Sequence, residues 1–352
     1  ESTLAALLKQ YPGIRTTTKF EEAIADPEVD VIVIATTEHF RVPLVEAAAK
    51  AGKPVLMEKP LASTLEDALK IQDIVTESGI AFCVAHNRRC SPAMVQAHKI
   101  FRNHMERENA CPWRYRREGW EQTAKIVQKE GHLAALSIRI NDDWWSWKPV
   151  HLQGINAEVG LLLSEMTHFA DVACWFLKAE PDVICAQGSG VLNHAVSIKF
   201  KTGEIASIVM GSNGTFGYPK ELMEVTGNGG ILVVDHMLEV RTAGIEGAPR
   251  RKVFPMLDDR HPDVGEEGGV SGWIRKKQAA CEEASEYRDA SRQFTAEPDK
   301  GHAHILRAFL QEIRGEREPV SPIQPAITAM KICLAAIRSI REQRFVALSE
   351  IE

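Results

Sequence analysis

No glycine triplet with the G-x-G-x-x-G spacing that cradles a dinucleotide pyrophosphate occurs anywhere in the 352 residues. Gly188-Ser189-Gly190 and Gly227-Asn228-Gly229 come nearest, but both fail the spacing and sit among strand patterns. There is no C-x-x-C pair either. The seven cysteines (Cys83, Cys90, Cys111, Cys174, Cys185, Cys281, Cys333) are scattered, so neither a zinc knuckle nor a secreted disulfide framework is suggested, no metal site is expected, and a reduced cytoplasm fits best. Neither sign of charge dominates: 42 basic against 48 acidic side chains leave a net −6, which calls for neither nucleic acid nor a membrane surface. The apolar runs read as shorter than a membrane span, and no signal peptide, internal repeat or low-complexity tract is visible. What remains is ordinary globular usage, 44% hydrophobic and 26% charged, in a chain long enough for two cores.

The first core is legible at residues 29 to 62. Val31 to Ala35 is continuously apolar, as a strand covered on both faces must be. Phe40 to Lys50 then carries Val42, Leu44, Val45, Ala48 and Ala49 at helical spacing, and Val55 to Met57 reads as the next strand. Both strands end in polar residues, the second in Glu58-Lys59-Pro60, at the end of a parallel sheet where ligands bind. Leu65 to Ser78 is an amphipathic helix and Ile80 to Ala85 a further strand, after which the pattern stops. The expectation is an α/β Rossmann-type parallel sheet domain over residues 1–88. It is expected to lack its first strand-helix-strand unit, roughly 35 to 45 residues, because the chain opens with Glu1 inside a helical pattern (Leu4, Leu7, Leu8).

Residues 89–352 predict an α+β domain for substrate and oligomer contacts. Met94 to Glu130 is helical text broken at Pro112, Leu133 to Ile140 alternates as a strand, and Val159 to Leu177 is a strongly apolar helix. Val183 to Val240 reads as successive strands with turns at Lys201-Thr202-Gly203 and Gly227-Asn228-Gly229, which predicts a large open, mostly antiparallel sheet. Residues 244 to 300 are polar and turn-rich with a helix from about Trp273 to Ser291, and helices at His302 to Arg314 and Pro325 to Arg341 follow.

On Glu58-Lys59-Pro60, Asn87-Arg88-Arg89-Cys90-Ser91-Pro92 and Ser164-Glu165-Met166-Thr167-His168-Phe169-Ala170-Asp171, the sequence resembles the Gfo/Idh/MocA family of NAD(P)-dependent oxidoreductases. Gly301-His302 and Arg344-Phe345-Val346 resemble the family's ending, so the likeness runs through almost the whole chain. The resemblance implies that Lys59 and His168 are catalytic, that NAD or NADP is the cofactor, and that the substrate is a sugar, polyol or sugar derivative. It also implies a homodimer or homotetramer through the open sheet. In much of the family the position four residues before the histidine is an aspartate; here it is Ser164, and Glu165 is the nearest substitute carboxylate. The alternative is a non-catalytic dinucleotide- or sugar-binding protein of the same fold.

The residue types suit that chemistry. Moving a hydride between an alcohol carbon and nicotinamide needs a group that takes the hydroxyl proton and a positive charge that holds the developing alkoxide. His168 and Lys59 supply the two. Glu165 and Ser164, at i−3 and i−4, can approach the imidazole or the substrate, with Asp171 at i+3 on the other side. Ala35, Thr36, Thr37 and Glu38 end a strand where backbone amides can meet the nicotinamide half. By resemblance, Glu58, Lys59 and Pro60 line the same crevice, with Asn87 and Arg88 closing it. Arg41 stands where many family members have histidine. Trp145, Trp147 and His151, with Trp144, Asp142 and Asp143, form a candidate sugar platform, indole faces stacking on pyranose C–H surfaces, though core packing fits them equally. The Arg-rich stretch 107 to 125 interleaves acids as well, which favours a solvated helix over a nucleic-acid patch.

Overall fold

The computed structural model describes residues 2–107, 133–144, 160–257, 268–283 and 297–352. Helices α1 (Ser2–Gln10) and α2 (Phe20–Ala25) lead into a three-stranded parallel sheet, β1 (Ile32–Ile34), β2 (Val55–Met57) and β3 (Phe82–Val84), in the order β1-β2-β3. Helices α3 (Arg41–Lys50) and α4 (Leu65–Ser78) make the crossovers. The ends of α4 follow from local chemistry: Thr64 accepts from the Asp67 amide at 3.1 Å, Glu66 and Asp67 face the positive end of the helix dipole, and Gly79 at φ 66° closes it in the left-handed region.

β2 and β3 are buried throughout, as a doubly covered strand requires, but β1 is not. It pairs only with β2, and Val33 is 56% exposed while Ile34 is buried. The sequence expectation of a fully covered first strand therefore holds on one face only, because the strand sits at the edge of the described sheet.

A short 3-10 turn over Asn87–Cys90 hands the chain to α5 (Pro92–Met105), with Pro92 at its first turn, where its missing amide costs nothing. Beyond it β4 (Ala135–Asn141) joins a nine-stranded sheet with β5 (Pro181–Gly188), β6 (Asn193–Phe200), β7 (Ile205–Gly211), β8 (Glu221–Gly227), β9 (Gly230–Asp235), β10 (Glu239–Ala243), β11 (Arg251–Val253) and β12 (Val346–Ala347). The order is β11-β10-β9-β8-β4-β7-β6-β5-β12, every pairing antiparallel except β4 with β7. One face is covered and the other open, so β6 and β8 alternate buried and exposed residues along their length.

The covering layer is α6 (Leu161–Ser164), α7 (Met166–Leu177) and, near the end of the chain, α10 (Ile323–Glu342), after α8 (Gly269–Glu283) and α9 (His302–Ile313). By length and hydropathy α10 is apolar enough to cross a membrane, which the sequence reading had not credited to any segment. Here it is a core helix: Ile327, Met330, Ile332, Cys333, Ala335 and Ala336 are all buried in the large cluster shared with β5 and α7.

A single boundary at residue 88 does not capture the packing. Helix α9 returns to the first domain, where Ile305, Ala308 and Phe309 bury against Leu56, Cys83, Ala85 and Cys90 and cover the second face of the parallel sheet. The contact is close at the start of α9. Gly301, at φ 91°, has no room for a side chain: a Cβ would lie 2.2 Å from the Asn87 carbonyl oxygen and 2.6 Å from the Ser91 nitrogen. Gly301→Ala is expected to lower stability by about 2–3 kcal/mol through strained backbone and a forced gap at this seam. A shift of the denaturant midpoint without change of slope would check it.

Candidate active site

The apolar stretch that reads as one helix is broken at Glu165. α6 ends at Ser164 and α7 begins at Met166, with Glu165 at φ −100°, ψ −40° between them. In an unbroken helix the His168 amide would reach the Ser164 carbonyl four residues back. It donates to the Glu165 carbonyl instead (3.1 Å), and the released Ser164 carbonyl accepts from Lys59 Nζ at 2.9 Å. Lys59 arrives from the C-terminal end of β2, where the Glu58 amide donates to the Ile34 carbonyl and the Lys59–Pro60 peptide is cis. Its ammonium also donates to Glu165 Oε1 at 2.5 Å. Two of its three N–H groups are thereby fixed, which leaves the third for a ligand.

Glu165 thus serves Lys59 rather than the imidazole that its spacing suggested. Its second oxygen, Oε2, lies 3.3 Å from Lys220 Nζ, and Lys220 pairs in turn with Asp142 Oδ2 at 2.8 Å. The Ser164 hydroxyl turns back on its own helix and donates to the Gly160 carbonyl (3.3 Å), so this residue meets the site through its backbone. Burial alone would push the Glu165 carboxyl up, but Lys59, Lys220 and Arg88 outweigh it and hold it well below the usual carboxylate range.

His168 is buried on α7, and its Nδ1 has no hydrogen-bond partner among the described residues. Burial, with Arg88 and Lys59 nearby, pushes its pKa well below the ordinary 6.5, so the ring is neutral at neutral pH. Behind it Asp171 takes Arg89 through both oxygens (2.7 Å each) and has His86 Nδ1 at 3.2 Å, with the His86 and His168 rings 6.0 Å apart, edge to face. Burial opposes ionisation of Asp171 too, and His86 and Arg89 overcome it.

These shifts share one sign. A carboxylate with a depressed pKa and a histidine kept neutral both bind more protons unfolded than folded as pH drops. Burial holds His98 and His194 at about 4 and His236 at about 3, against an ordinary 6.5. The unfolding free energy is therefore expected to fall on acidification from pH 6.5 to 4, and further through the carboxylate range below. At the alkaline end, burial raises Cys83 and Cys174 to about 12 and Cys90 to about 11, so stability falls again above their ordinary 9.0. Denaturant unfolding at stepped pH, with its maximum between these limits, is the check.

Around the cofactor crevice the outcome is mixed. Thr36, Thr37 and Glu38 follow Ala35 beyond the end of β1, beside Glu58, Lys59 and Pro60 beyond β2, at the C-terminal edge of the parallel sheet. Asn87 and Arg88 follow β3 and are engaged by other parts of the chain. Asn87 Nδ2 donates to the Lys300 carbonyl at 2.7 Å, and Arg88 clasps Glu221 (Nη2–Oε1 2.6 Å, Nε–Oε2 3.3 Å) over the Phe169 ring. Both side chains are buried and tie the turn after β3 to Lys300 and to β8; a buried Arg–carboxylate pair cannot turn to solvent without stranding its partner. Trp145, Trp147 and His151 lie outside the described residues; Trp144, next to them, packs partly buried against the main core.

The contacts made by Arg41, Lys220 and Asp142 had no sequence signal, although Arg41 and Asp142 were themselves noted. Arg41, 2% exposed, donates to the carbonyls of Thr36 (2.9 Å), Glu58 (2.7 Å) and Pro60, binding the ends of β1 and β2 into one rim. Lys220 and Asp142 reach Glu165 only because the β4–β8 register sets Ile140 opposite Glu221, and the Asn141 amide takes the Lys220 carbonyl (2.7 Å). No motif spacing links residues 142, 165 and 220.

A parallel sheet whose C-terminal strand ends carry Lys59 thus lies beside a large, mostly antiparallel sheet, an arrangement in which ligands bind at the ends of the parallel strands. Residues 2–86 match the model of the oxidoreductase family with NAD-binding Rossmann fold, GFO_IDH_MocA. That match makes residues 2–86 similar to the NAD-binding Rossmann segment of the Gfo/Idh/MocA oxidoreductases. It is 39% identical over 95 residues to levoglucosan dehydrogenase of Pseudarthrobacter phenanthrenivorans, covering 27% of this chain and 24% of that one. It is 28% identical over 205 residues to 1,5-anhydro-D-fructose reductase of Ensifer adhaerens, covering 54% and 53%. The matches thus span about a quarter and a half of the lengths of these two relatives. Myo-inositol 2-dehydrogenase of Thermotoga maritima is 22% identical over 94% of this chain and 83% of its own. Among solved structures, a levoglucosan dehydrogenase in complex with NADH and levoglucosan has the same fold, with TM-score 0.70 at 20% identity over 99% of this chain and 87% of that one.

Proposed function

We propose that the protein is an NAD(P)-dependent oxidoreductase that moves a hydride between nicotinamide and a hydroxyl or keto carbon of a cyclic polyol, sugar or anhydro-sugar. The single observation that carries this reading is Lys59, immobilised by Glu165 and the Ser164 carbonyl with one N–H left over, beside the buried neutral His168. Relatives named for levoglucosan, 1,5-anhydro-D-fructose and myo-inositol support the substrate class. Thr36 to Glu38 and Glu58 to Pro60, clasped by Arg41, would hold the nicotinamide half, which when bound supplies the hydride acceptor or donor. The Lys59 ammonium holds the reacting oxygen as negative charge develops on it, and neutral His168 takes the hydroxyl proton or returns it. Deprotonated Glu165 keeps the Lys59 side chain stationary. The test is turnover of cyclic polyols, aldoses and anhydro-sugars with NAD and with NADP, followed as reduced nicotinamide; a full panel without turnover would favour a non-catalytic binding protein.

Self-association belongs to the same proposal. The open face of the nine-stranded sheet carries Ile205 and Val209, 56% and 47% exposed, on one side of β7, and a second copy of this chain is the occupant we assign to it. Light scattering on the purified protein is expected to give a dimer or tetramer, and Val209→Glu to shift it towards monomer.

A further inference from the structure

We propose that Lys220 is a positioning residue of the reaction: it anchors Glu165 from the side opposite Lys59, so that the carboxylate stays ionised and its grip on Lys59 keeps one geometry. The inference rests on the oxidoreductase reading above.

Asp142, Lys220, Glu165 and Lys59 form a chain of alternating charge with contacts of 2.8, 3.3 and 2.5 Å. All four side chains are largely buried, at 0%, 14%, 12% and 16% exposure in that order, so solvent screens the contacts poorly. Each end has a rigid mount. Asp142 follows β4 and its amide donates to the Gly211 carbonyl (2.8 Å), Lys220 precedes β8 and is tied to β4 through its carbonyl, and Lys59 leaves β2. Glu165 is the exception, since it occupies the break between α6 and α7 and no regular helix fixes its direction.

A carboxylate bonded by one lysine alone can swing with it. With a second ammonium on Oε2, the plane of the carboxylate is set by two independent elements and Oε1 has one direction in which to offer itself. The ledger of charge agrees. Lys59 and Lys220 stand against Glu165 and Asp142, and the neighbouring Arg88 against Glu221, so each charge in the row faces one of opposite sign. Removing the Lys220 charge would leave Lys59 as the one lysine hydrogen-bonded to the Glu165 carboxylate. The carboxylate could then take up a proton, and Lys59 would lose the partner that orients it.

The groups facing Glu165 are Lys59 from the end of β2, Arg88 from the turn after β3 and Lys220 from the start of β8. Asp142 stands behind Lys220, Glu221 behind Arg88, and His168 lies one turn along its own helix. Loss of Lys220 leaves Lys59 and Arg88 as the cations opposing burial, which shifts Glu165 ionisation to higher pH. Lys220 is also among the cations that hold the His168 pKa down, so its loss moves both groups to higher pH, and the acid limb of the rate profile moves up with them.

The experiment uses the holoenzyme with its best polyol and compares Lys220→Met, Lys220→Arg and the double variant Asp142→Asn/Lys220→Met, the last removing both charges of the Lys220–Asp142 pair together. Lys220→Met and the double variant should lose about tenfold to a hundredfold in kcat, keep the KM for cofactor within about twofold, and move the acid limb up by about one pH unit. Lys220→Arg should restore the limb and most of the rate. Wild-type kcat and an unmoved limb in the charge-removing variants would overturn the proposal, as would a loss of rate shared by both KM values with the limb in place, the pattern of mere structural damage. If the wild type turns over nothing on the panel, the oxidoreductase reading has failed on its own. The 13C carboxylate titration of Glu165 in the same variants, assigned by its loss in Glu165→Gln, then decides: an upward shift with Lys220→Met keeps the anchoring role, and an unchanged titration ends it.

Discussion

Lys59→Met is expected to lower kcat by a hundredfold to a thousandfold while the dissociation constant for the nicotinamide cofactor changes by less than about threefold. Methionine keeps much of the length of the side chain and removes the charge, so the substitution deletes a donor whose value is greatest when the oxygen becomes negative; single donors of this kind are worth about 3–4 kcal/mol in the transition state. In the ground state the ammonium is already satisfied by Glu165 Oε1 and the Ser164 carbonyl, which is why binding of cofactor should hardly respond. His168→Asn should give a loss of similar size, because the ring that is kept neutral by its surroundings is the only described histidine on the helix that starts directly after the Lys59 contacts. Stopped-flow turnover combined with fluorescence titration of NADH separates the two quantities.

The second large effect is at Glu165. Glu165→Gln should cost about tenfold to a hundredfold in kcat, since the amide leaves two ammonium groups without their shared anion and offers one of them a donor instead of an acceptor. Ser164→Ala should remain within about threefold of wild type. Its hydroxyl bonds to the Gly160 carbonyl, and the atom that holds Lys59 is the backbone oxygen, which alanine retains. Paired pH–rate profiles of the two variants settle the assignment: a crippled Ser164→Ala beside a normal Glu165→Gln would mean that the hydroxyl touches substrate and that the carboxylate is structural.

Much of this framework was legible in the sequence, for identifiable reasons. Leu65–Ser78 coincides with its expected bounds because Thr64 and Gly79 write both caps locally. Lys59, Glu165 and His168 were singled out by motif, and the structure brings Lys59 onto the His168 helix across more than a hundred residues. What was illegible depended on tertiary register. The periodicity of Val159 to Leu177 is continuous, so nothing local announces the break at Glu165 that frees the Ser164 carbonyl and turns the carboxylate from His168 towards Lys59. Arg88 carries the same charge whether it faces a phosphate or Glu221; only the position of β8 decides. Lys220 lay outside every motif, inside the Val183 to Val240 run of strand patterns. Helix α9 is an amphipathic helix whose partner, the parallel sheet some 220 residues earlier by the spacing of Cys83 and Ile305, no pattern of spacing could name.

The central claim is that Lys59 and His168 manage charge and proton while a hydride leaves a carbinol carbon. The most direct measurement is transfer of label: the holoenzyme is given a cyclic polyol deuterated at its carbinol carbons, and the reduced nicotinamide is recovered. The account predicts deuterium at C4 of the nicotinamide, a primary isotope effect on the single-turnover rate, and a transfer rate at least about a hundredfold lower in Lys59→Met. Reduced nicotinamide free of deuterium, or label transferred at the wild-type rate by Lys59→Met, would contradict it.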